Sequence, residues 1–330
     1  MKKYIYLALM VSFLATSCED DPIMMDPEPD PIPTPCEMGR YTSPDFTSQN
    51  VTTVKFGEGE LALGIQDLLM DIYTPVGDSL TDRPLIILAF GGAFITGDRS
   101  QMEDFARYFT SHGYVVASID YRLFSGVLPT NDALLDTAVK AMHDVKAAVR
   151  YMRNEALTDN LYGIDPDNII VGGLSAGAIA SLQAAYFDEE DLAMADAAVQ
   201  AAITNNGGIE GTSNDLDVSS EVVGVLSFSG GMYALDWIDA GEPWVVSVHG
   251  DEDIVVPYET GMVNVGLPID FTLSGSGAMV PRLEETGVEY SLWTVAGGGH
   301  VDIYIEDDFE QERTDFQDFV IGFLVDKVCE

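Results

Sequence analysis

Gly173-Leu174-Ser175-Ala176-Gly177 lies between a short β-branched run, Ile169-Ile170-Val171, and an Ala- and Leu-rich stretch that ends at Tyr186. That context reads as buried strand, sharp turn, helix. A serine at the apex of such a turn has a strained backbone and needs very small neighbours, which Gly173, Ala176, Gly177 and Ala178 supply. Ser175 then projects from the sheet edge over the positive end of a helix, where it can act as a nucleophile. The plainer use of the same residue is a helix N-cap in a glycine-rich turn.

A serine nucleophile needs a base, an acid that orients the base, and donors for the developing oxyanion. The chain has four histidines. One of them, His300, ends the run Ala296-Gly297-Gly298-Gly299, which can swing an imidazole over a sheet edge after a strand predicted over 287–295. The acid has two candidates, Asp251 and Asp253, both just past a strand predicted over 244–248, at the carboxyl edge where sites on parallel sheets form. For the oxyanion, Phe90-Gly91-Gly92-Ala93-Phe94 closes an apolar run over 85–90. Its consecutive glycines let the N–H of Gly92 or Ala93 turn toward one point, joined by that of Ala176. A turn needed only for close packing is the other reading of that loop. The acids at 251–253 also suit a calcium loop, but no EF-hand spacing follows, and no metal is expected. Neither G-x-G-x-x-G near an early strand nor G-x-x-x-x-G-K-[ST] is present, so no nicotinamide or flavin is expected.

These residues need a scaffold that brings several loops to one edge. Strands are predicted over 51–56 and 67–73, an antiparallel pair at the sheet border, and over 85–90, 114–119 and 222–228. Helices are predicted near 100–110, 132–153, 176–186 and 310–328. Alternating strands and helices predict an α/β class with a mostly parallel sheet. Residues 188–218 read as an excursion from the sheet or a small cap, with an Ala-rich helix over 190–202 and a loop over 205–217. Arg122, at a strand end, is expected to hold a neighbouring acid, and the loop over 123–131 to line the pocket mouth. His143, beside Asp144, reads as a helix-surface histidine paired with an acid. Tyr233 and Trp237 either wall the pocket or simply pack.

Ser175, a later Asp and His300 stand in the order Ser…Asp…His. Together with Asp71-Ile72-Tyr73-Thr74-Pro75, the Gly91-Gly92 loop, Asp120-Tyr121-Arg122-Leu123 and Asp165-Pro166, this makes residues 50–328 resemble the α/β-hydrolase superfamily. The resemblance is nearest to its carboxylesterase and lipase branches, including bacterial esterases of acetylxylan and feruloyl type that deacylate plant polysaccharides. His249 to Pro257 resembles that family's H-G-x-x-D-x-x-V-P stretch, and on this pattern Asp253, not Asp251, is the triad acid. The 90–94 loop resembles the HGGG-type oxyanion loop, departing at Phe90 and Ala93. The resemblance implies an α/β-hydrolase fold with about eight strands and helices on both faces. It implies a serine carboxylic-ester hydrolase with Ser175, Asp253 and His300 as triad, no cofactor, and short acyl or polysaccharide-linked esters as substrates. A serine peptidase of the same fold is the enzymatic rival, and a non-catalytic surface glycan-binding protein the other.

The chain is acidic, with 55 Asp plus Glu against 15 Lys plus Arg and a formal net charge of −40. So few cations cannot assemble a phosphate-binding patch, and a nucleic-acid partner is not expected. Lys2 and Lys3 precede an apolar run from Tyr4 to Ala15, the pattern of a signal peptide over 1–17. Small residues before Cys18 resemble a bacterial lipobox, which implies an exported, lipid-anchored protein, and Glu19-Asp20-Asp21 resembles a surface-export signal. Outer-membrane attachment, facing the periplasm or the cell surface, is the expectation. Residues 18–40 read as an acidic, Pro-rich tether and 41–330 as the catalytic domain. Cys36 and Cys329 remain at opposite ends of the folded part, and in an oxidising compartment a Cys36–Cys329 disulfide is expected, two separate thiols being the alternative.

Overall fold

The computed structural model of the protein describes residues 34, 36, 38–62 and 64–329. The signal-peptide segment, Cys18 and most of the expected tether lie outside the described residues.

Eleven strands are present among them: β1 (Gln49–Glu60), β2 (Ile65–Pro75), β3 (Arg83–Ala89), β4 (Val115–Ile119), β5 (Ile164–Leu174), β6 (Gly224–Phe228), β7 (Gly231–Met232), β8 (Trp244–Gly250), β9 (Thr260–Met262), β10 (Thr272–Gly275) and β11 (Tyr290–Val295). The helices are α1 (Glu103–Ser111), α2 (Asn131–Leu157), α3 (Ala176–Tyr186), α4 (Glu189–Met194), α5 (Ala197–Asn205), α6 (Ser276–Thr286), α7 (Asp302–Ile305) and α8 (Glu310–Val328). Eight strands form one sheet in the order β1-β2-β4-β3-β5-β6-β8-β11. β2 pairs antiparallel with both β1 and β4, and every other pairing in the sheet is parallel.

Continuous apolar runs such as Leu85-Ile86-Ile87-Leu88 and Val115-Val116-Ala117 are buried along their whole length, as a sheet covered on both faces requires. The path β3–α1–β4 steps to one side of β3, and β4–α2–β5 steps back across it. With right-handed crossovers, these opposite steps put α1 and α2 on opposite faces. α3 packs beside α2, whereas Tyr304 of α7 bridges Phe105 of α1 and Phe316 of α8. The chain order also sends the carboxyl ends of β3, β5, β8 and β11 to one edge of the sheet, where the loops holding Gly92, Ser175, Asp253 and His300 follow directly.

Several boundaries differ from the sequence reading. The last strand begins at Tyr290, because Gly287 is the left-handed cap of α6 (φ 73°). The excursion over 188–218 holds two helices, split where Asp188 caps α4 in a capping box and Asp196 caps α5. Cys36 and Cys329 are joined in a disulfide, and Arg40 pairs with Asp78, so the end of the expected tether is fastened to the domain. Arg122 does hold an acid: it forms a buried ion pair with Asp144 at 2.8 Å, and Ser213 donates to the same carboxylate at 2.6 Å. Asp144 is therefore not the partner of His143. His143 is fully buried instead of on the helix surface, and burial pushes its pKa down to about 3. Gly211 packs closely against it; a Cβ there would meet the imidazole at 2.4 Å.

Candidate active site

Ser175 stands between β5 and α3 with φ 54° and ψ −118°, a conformation that L-residues adopt at a cost. Its own N–H is bonded to the Phe228 carbonyl at 2.8 Å, which fixes the turn to the neighbouring strand. Steric room decides the flanking residues. A Cβ on Gly173 would lie 2.1 Å from the Ala89 carbonyl oxygen, and one on Gly177 would lie 2.0 Å from it. Only glycines let β5 and α3 press so closely on the end of β3 and hold the serine at the apex.

His300 lies at the centre of the site. Its Nε2 is 2.8 Å from Ser175 Oγ and its Nδ1 is 2.6 Å from Asp253 Oδ2. The structure thus brings together all three residues named from sequence, and of the two candidate acids it is Asp253 that faces His300. Asp251 turns outward and accepts from the Gly297 N–H at 2.6 Å, fastening the glycine run that delivers His300. The same run is held by Asp302, which accepts from the Gly299 N–H, and by Ser229, whose hydroxyl donates to the His300 carbonyl.

Asp253 is buried, which taken alone would raise its pKa. Hydrogen bonds from His249 and His300, with backbone donation from Val255, outweigh burial and hold the carboxyl well below its usual range. It is therefore charged where the imidazole needs an anionic neighbour. His249 had no assigned role from sequence. It is fully buried at the end of β8, with Nε2 3.2 Å from Asp253 Oδ2 and 3.1 Å from the Val256 carbonyl.

The loop after β3 carries Gly92 at φ 123°, Ala93 at φ 56° and Phe94 at φ 62°. Gly92 is obligatory, since a Cβ would lie 1.9 Å from the Thr96 carbonyl oxygen. Tyr121 braces the loop: its hydroxyl donates to the Phe90 carbonyl at 2.8 Å and its ring stacks on Phe90. Among the described residues no hydrogen bond takes the N–H of Gly92, Ala93 or Ala176. Ala93 and Ala176 line the cleft beside Ser175, and Gly92 stands one residue behind them.

That cleft is a cavity of about 100 Å³ beside Ser175. Its walls come from α2, α3, α5, Tyr233, Trp237 and the segment over 263–273. α5 belongs to the excursion over 188–218, so that excursion builds part of the site, and the two aromatics wall the pocket. The 263–273 segment went unread in the sequence although it carries a signal. Val263, Val265, Leu267, Ile269, Phe271 and Leu273 alternate with other residues, the period of a strand. Gly266 and Pro268 interrupt the ladder, so pairing is confined to its flanks, where β9, just before Val263, pairs with β10, while all of these except Leu267 line the cavity.

Comparison with known proteins agrees with this architecture. The chain is 30% identical over 138 residues to Esterase-5C of Drosophila miranda, covering 41% of this chain and 24% of that protein. It is 36% identical over 100 residues to Gut esterase 1 of Caenorhabditis briggsae, 29% of this chain and 17% of that one. It thus spans about a quarter or less of the length of these curated relatives. Thermogutta terrifontis esterase 2, solved as the form phosphorylated by paraoxon, superposes with a TM-score of 0.61 at 19% identity, over 85% of this chain and 95% of that one. Its propionate-bound form gives 0.60 at 17% identity, over 86% and 96%. The shared fold is the α/β-hydrolase fold. The BD-FAE family model matches residues 70–263, which is more than half of the chain and runs from β2, through the Gly92 loop and Ser175, past Asp253, and the chain belongs to the BD-FAE family.

Proposed function

We propose that the protein is a serine carboxylic-ester hydrolase that works through an acyl-enzyme. The observation that carries this reading is His300 bridging Ser175 and Asp253 at 2.8 and 2.6 Å. Asp253 accepts only, so His300 Nδ1 carries a proton and Nε2 presents a lone pair to the Ser175 hydroxyl. As Ser175 Oγ attacks an ester carbonyl, its proton passes to Nε2 and the carbonyl π electrons move to oxygen. The N–H groups of Ala93 and Ala176, with Gly92 behind them, are the donors for that oxygen. The C–O bond to the alcohol then breaks, and the alkoxide leaves with the proton from Nε2. Water, deprotonated by the same nitrogen, attacks the acyl carbon; the bond to Ser175 Oγ then breaks, the acid leaves, and Nε2 returns the proton to the serine. The esterase names of the matched curated relatives support an ester over an amide. The His300 side of the site, where the alcohol must leave, reaches solvent, whereas Asp253 behind it does not. A bulky alcohol such as a polysaccharide hydroxyl is therefore compatible with this side.

The test uses paraoxon, the reagent that phosphorylates the Thermogutta esterase. The purified protein gains one organophosphate adduct by intact mass, mapped to Ser175, and loses hydrolysis of p-nitrophenyl esters in step. Ser175→Ala takes no adduct and loses kcat/KM by roughly four orders of magnitude, with its circular dichroism unchanged. Equal turnover in both proteins overturns the reading.

A further inference from the structure

The cavity beside Ser175 has a direction. Its wall includes Ser175, Ala93 and Ala176, the two alanines proposed as oxyanion donors, and it does not include His300. Around a tetrahedral carbon the leaving oxygen must lie within reach of His300 Nε2, because that nitrogen protonates it. The substituent that enters the cavity is therefore the acyl chain, not the alcohol.

The cavity is also almost wholly apolar. Gln183, the polar amide on its wall, is already spent: its Nε2 donates to the Ile179 and Gly231 carbonyls and its Oε1 accepts from the Tyr233 N–H. The Tyr233 hydroxyl donates to Asp196. The stretch of wall that α2 contributes, Leu134 to Met142, extends about 12 Å along its axis. An acetyl group fills only the mouth of such a space, and its methyl gains little from the apolar surface beyond.

Resting on the serine-esterase reading, we propose that the site selects esters of aliphatic acids longer than acetate, seating the chain between α2, α5 and the 263–273 segment. Each methylene taken from water into this wall raises kcat/KM by about fourfold, until the chain meets the end of the cavity. Selectivity then lies on the acyl side, and the alcohol side remains permissive.

The experiment measures kcat/KM for p-nitrophenyl acetate, butyrate, hexanoate and octanoate with the wild-type chain, with paraoxon titration of active sites in the same preparation. A rise of at least tenfold from acetate to hexanoate is expected. Ala138→Trp, which fills the cavity from α2, is expected to cut the hexanoate-to-acetate ratio by at least tenfold. Should that variant fail to fold, inhibition of acetate hydrolysis by free hexanoate, at lower concentration than by free acetate, reads the same site in the wild type. A preparation that titrates with paraoxon at Ser175 yet favours acetate, or shows a flat series, overturns the acyl-chain proposal and leaves the serine-esterase reading standing. A preparation that neither titrates nor turns over any ester overturns both.

Discussion

Asp253 shows how much of the Ser175–His300–Asp253 arrangement is held from outside its three members. One carboxylate oxygen accepts from the N–H groups of Val255 and Val256 at 2.8 and 3.0 Å, and the other faces His300 and His249. The Ser276 N–H approaches His249 Nδ1 at 3.4 Å and its hydroxyl lies 3.0 Å from the same atom. A backbone N–H can only donate, so Nδ1 is the bare nitrogen and Nε2 carries the proton that Asp253 and the Val256 carbonyl share. His249 therefore holds the acid in place and ties it to the start of α6. His249→Ala leaves a buried charge one donor short and is expected to cost about 1–3 kcal/mol of stability. Because the carboxyl pKa is depressed in the folded state, the stability it contributes is present above the unfolded value and lost as pH falls. With one donor gone the depression shrinks, so acid unfolding starts at a higher pH. On the proposed mechanism Asp253 positions the base and does not touch substrate, so we expect kcat to fall about tenfold with KM little changed. His249→Gln, which keeps a donor at the Nε2 position, recovers most of both losses. A variant with unaltered kcat and unaltered acid unfolding would remove His249 from any positioning role.

The elements were legible where local pattern and burial agree. Fully buried runs such as Leu85-Ile86-Ile87-Leu88 marked central strands, and the small-residue turn around Ser175 marked the strand–helix joint. The acid could be placed just past β8 but not chosen from residue types alone. The H-G-x-x-D-x-x-V-P resemblance favoured Asp253, and the structure shows the contact with Gly297 that occupies Asp251. His143 was misplaced because an acid next to it in sequence faces Arg122 in space. The 263–273 wall was missed because Gly266 and Pro268 break its alternation and leave only the short β9–β10 ladder at its flanks. The same distinction between pattern and packing decides the sign of a glycine substitution. By helix propensity, Gly→Ala in a helix gains up to about 1 kcal/mol. At Gly322 in α8 nothing lies within 4 Å of the new Cβ, and Gly322→Ala should stabilise by roughly that amount. At Gly177 in α3 the Cβ would sit 2.0 Å from the Ala89 carbonyl oxygen, so α3 must shift away from β3. Gly177→Ala should destabilise by about 3 kcal/mol and displace Ser175 enough to abolish most ester hydrolysis. Thermal melts of the two variants beside the wild type check this; shifts of the same sign would refute the packing account.

At the scale of the whole molecule the disulfide and the charge pull in opposite directions. Cys36–Cys329 closes a loop with a sequence separation of 293 residues, joining the two ends of the domain. The net charge of −40, by contrast, adds self-repulsion to the folded state. The repulsion has a local focus beside the turn into β8. Burial pushes the Glu242 carboxyl up to about 8, and the nearby charges of Asp239, Asp191 and Asp188 push the same way, against one hydrogen bond from the Asp239 N–H. Burial likewise pushes Asp191 up to about 6. A carboxyl whose folded pKa is raised binds its proton more tightly when folded, so stability is highest below the unfolded value and falls as pH rises through the folded one. For Glu242 that window runs from the ordinary value of 4.5 up to about 8. Asp253 contributes with the opposite sign, but only at pH below the ordinary Asp value, outside this window. Glu242→Gln keeps an acceptor for the Asp239 N–H and removes the titration. Its melting temperature should therefore match the wild type near pH 4.5 and exceed it by a growing margin up to pH 8, beyond which the margin is constant. Added salt should narrow the margin by screening the neighbouring carboxylates. Wild-type and variant melting curves that stay parallel from pH 4.5 to 8.5 would show that Glu242 does not titrate in this range and that the acidic surface acts only through its total charge.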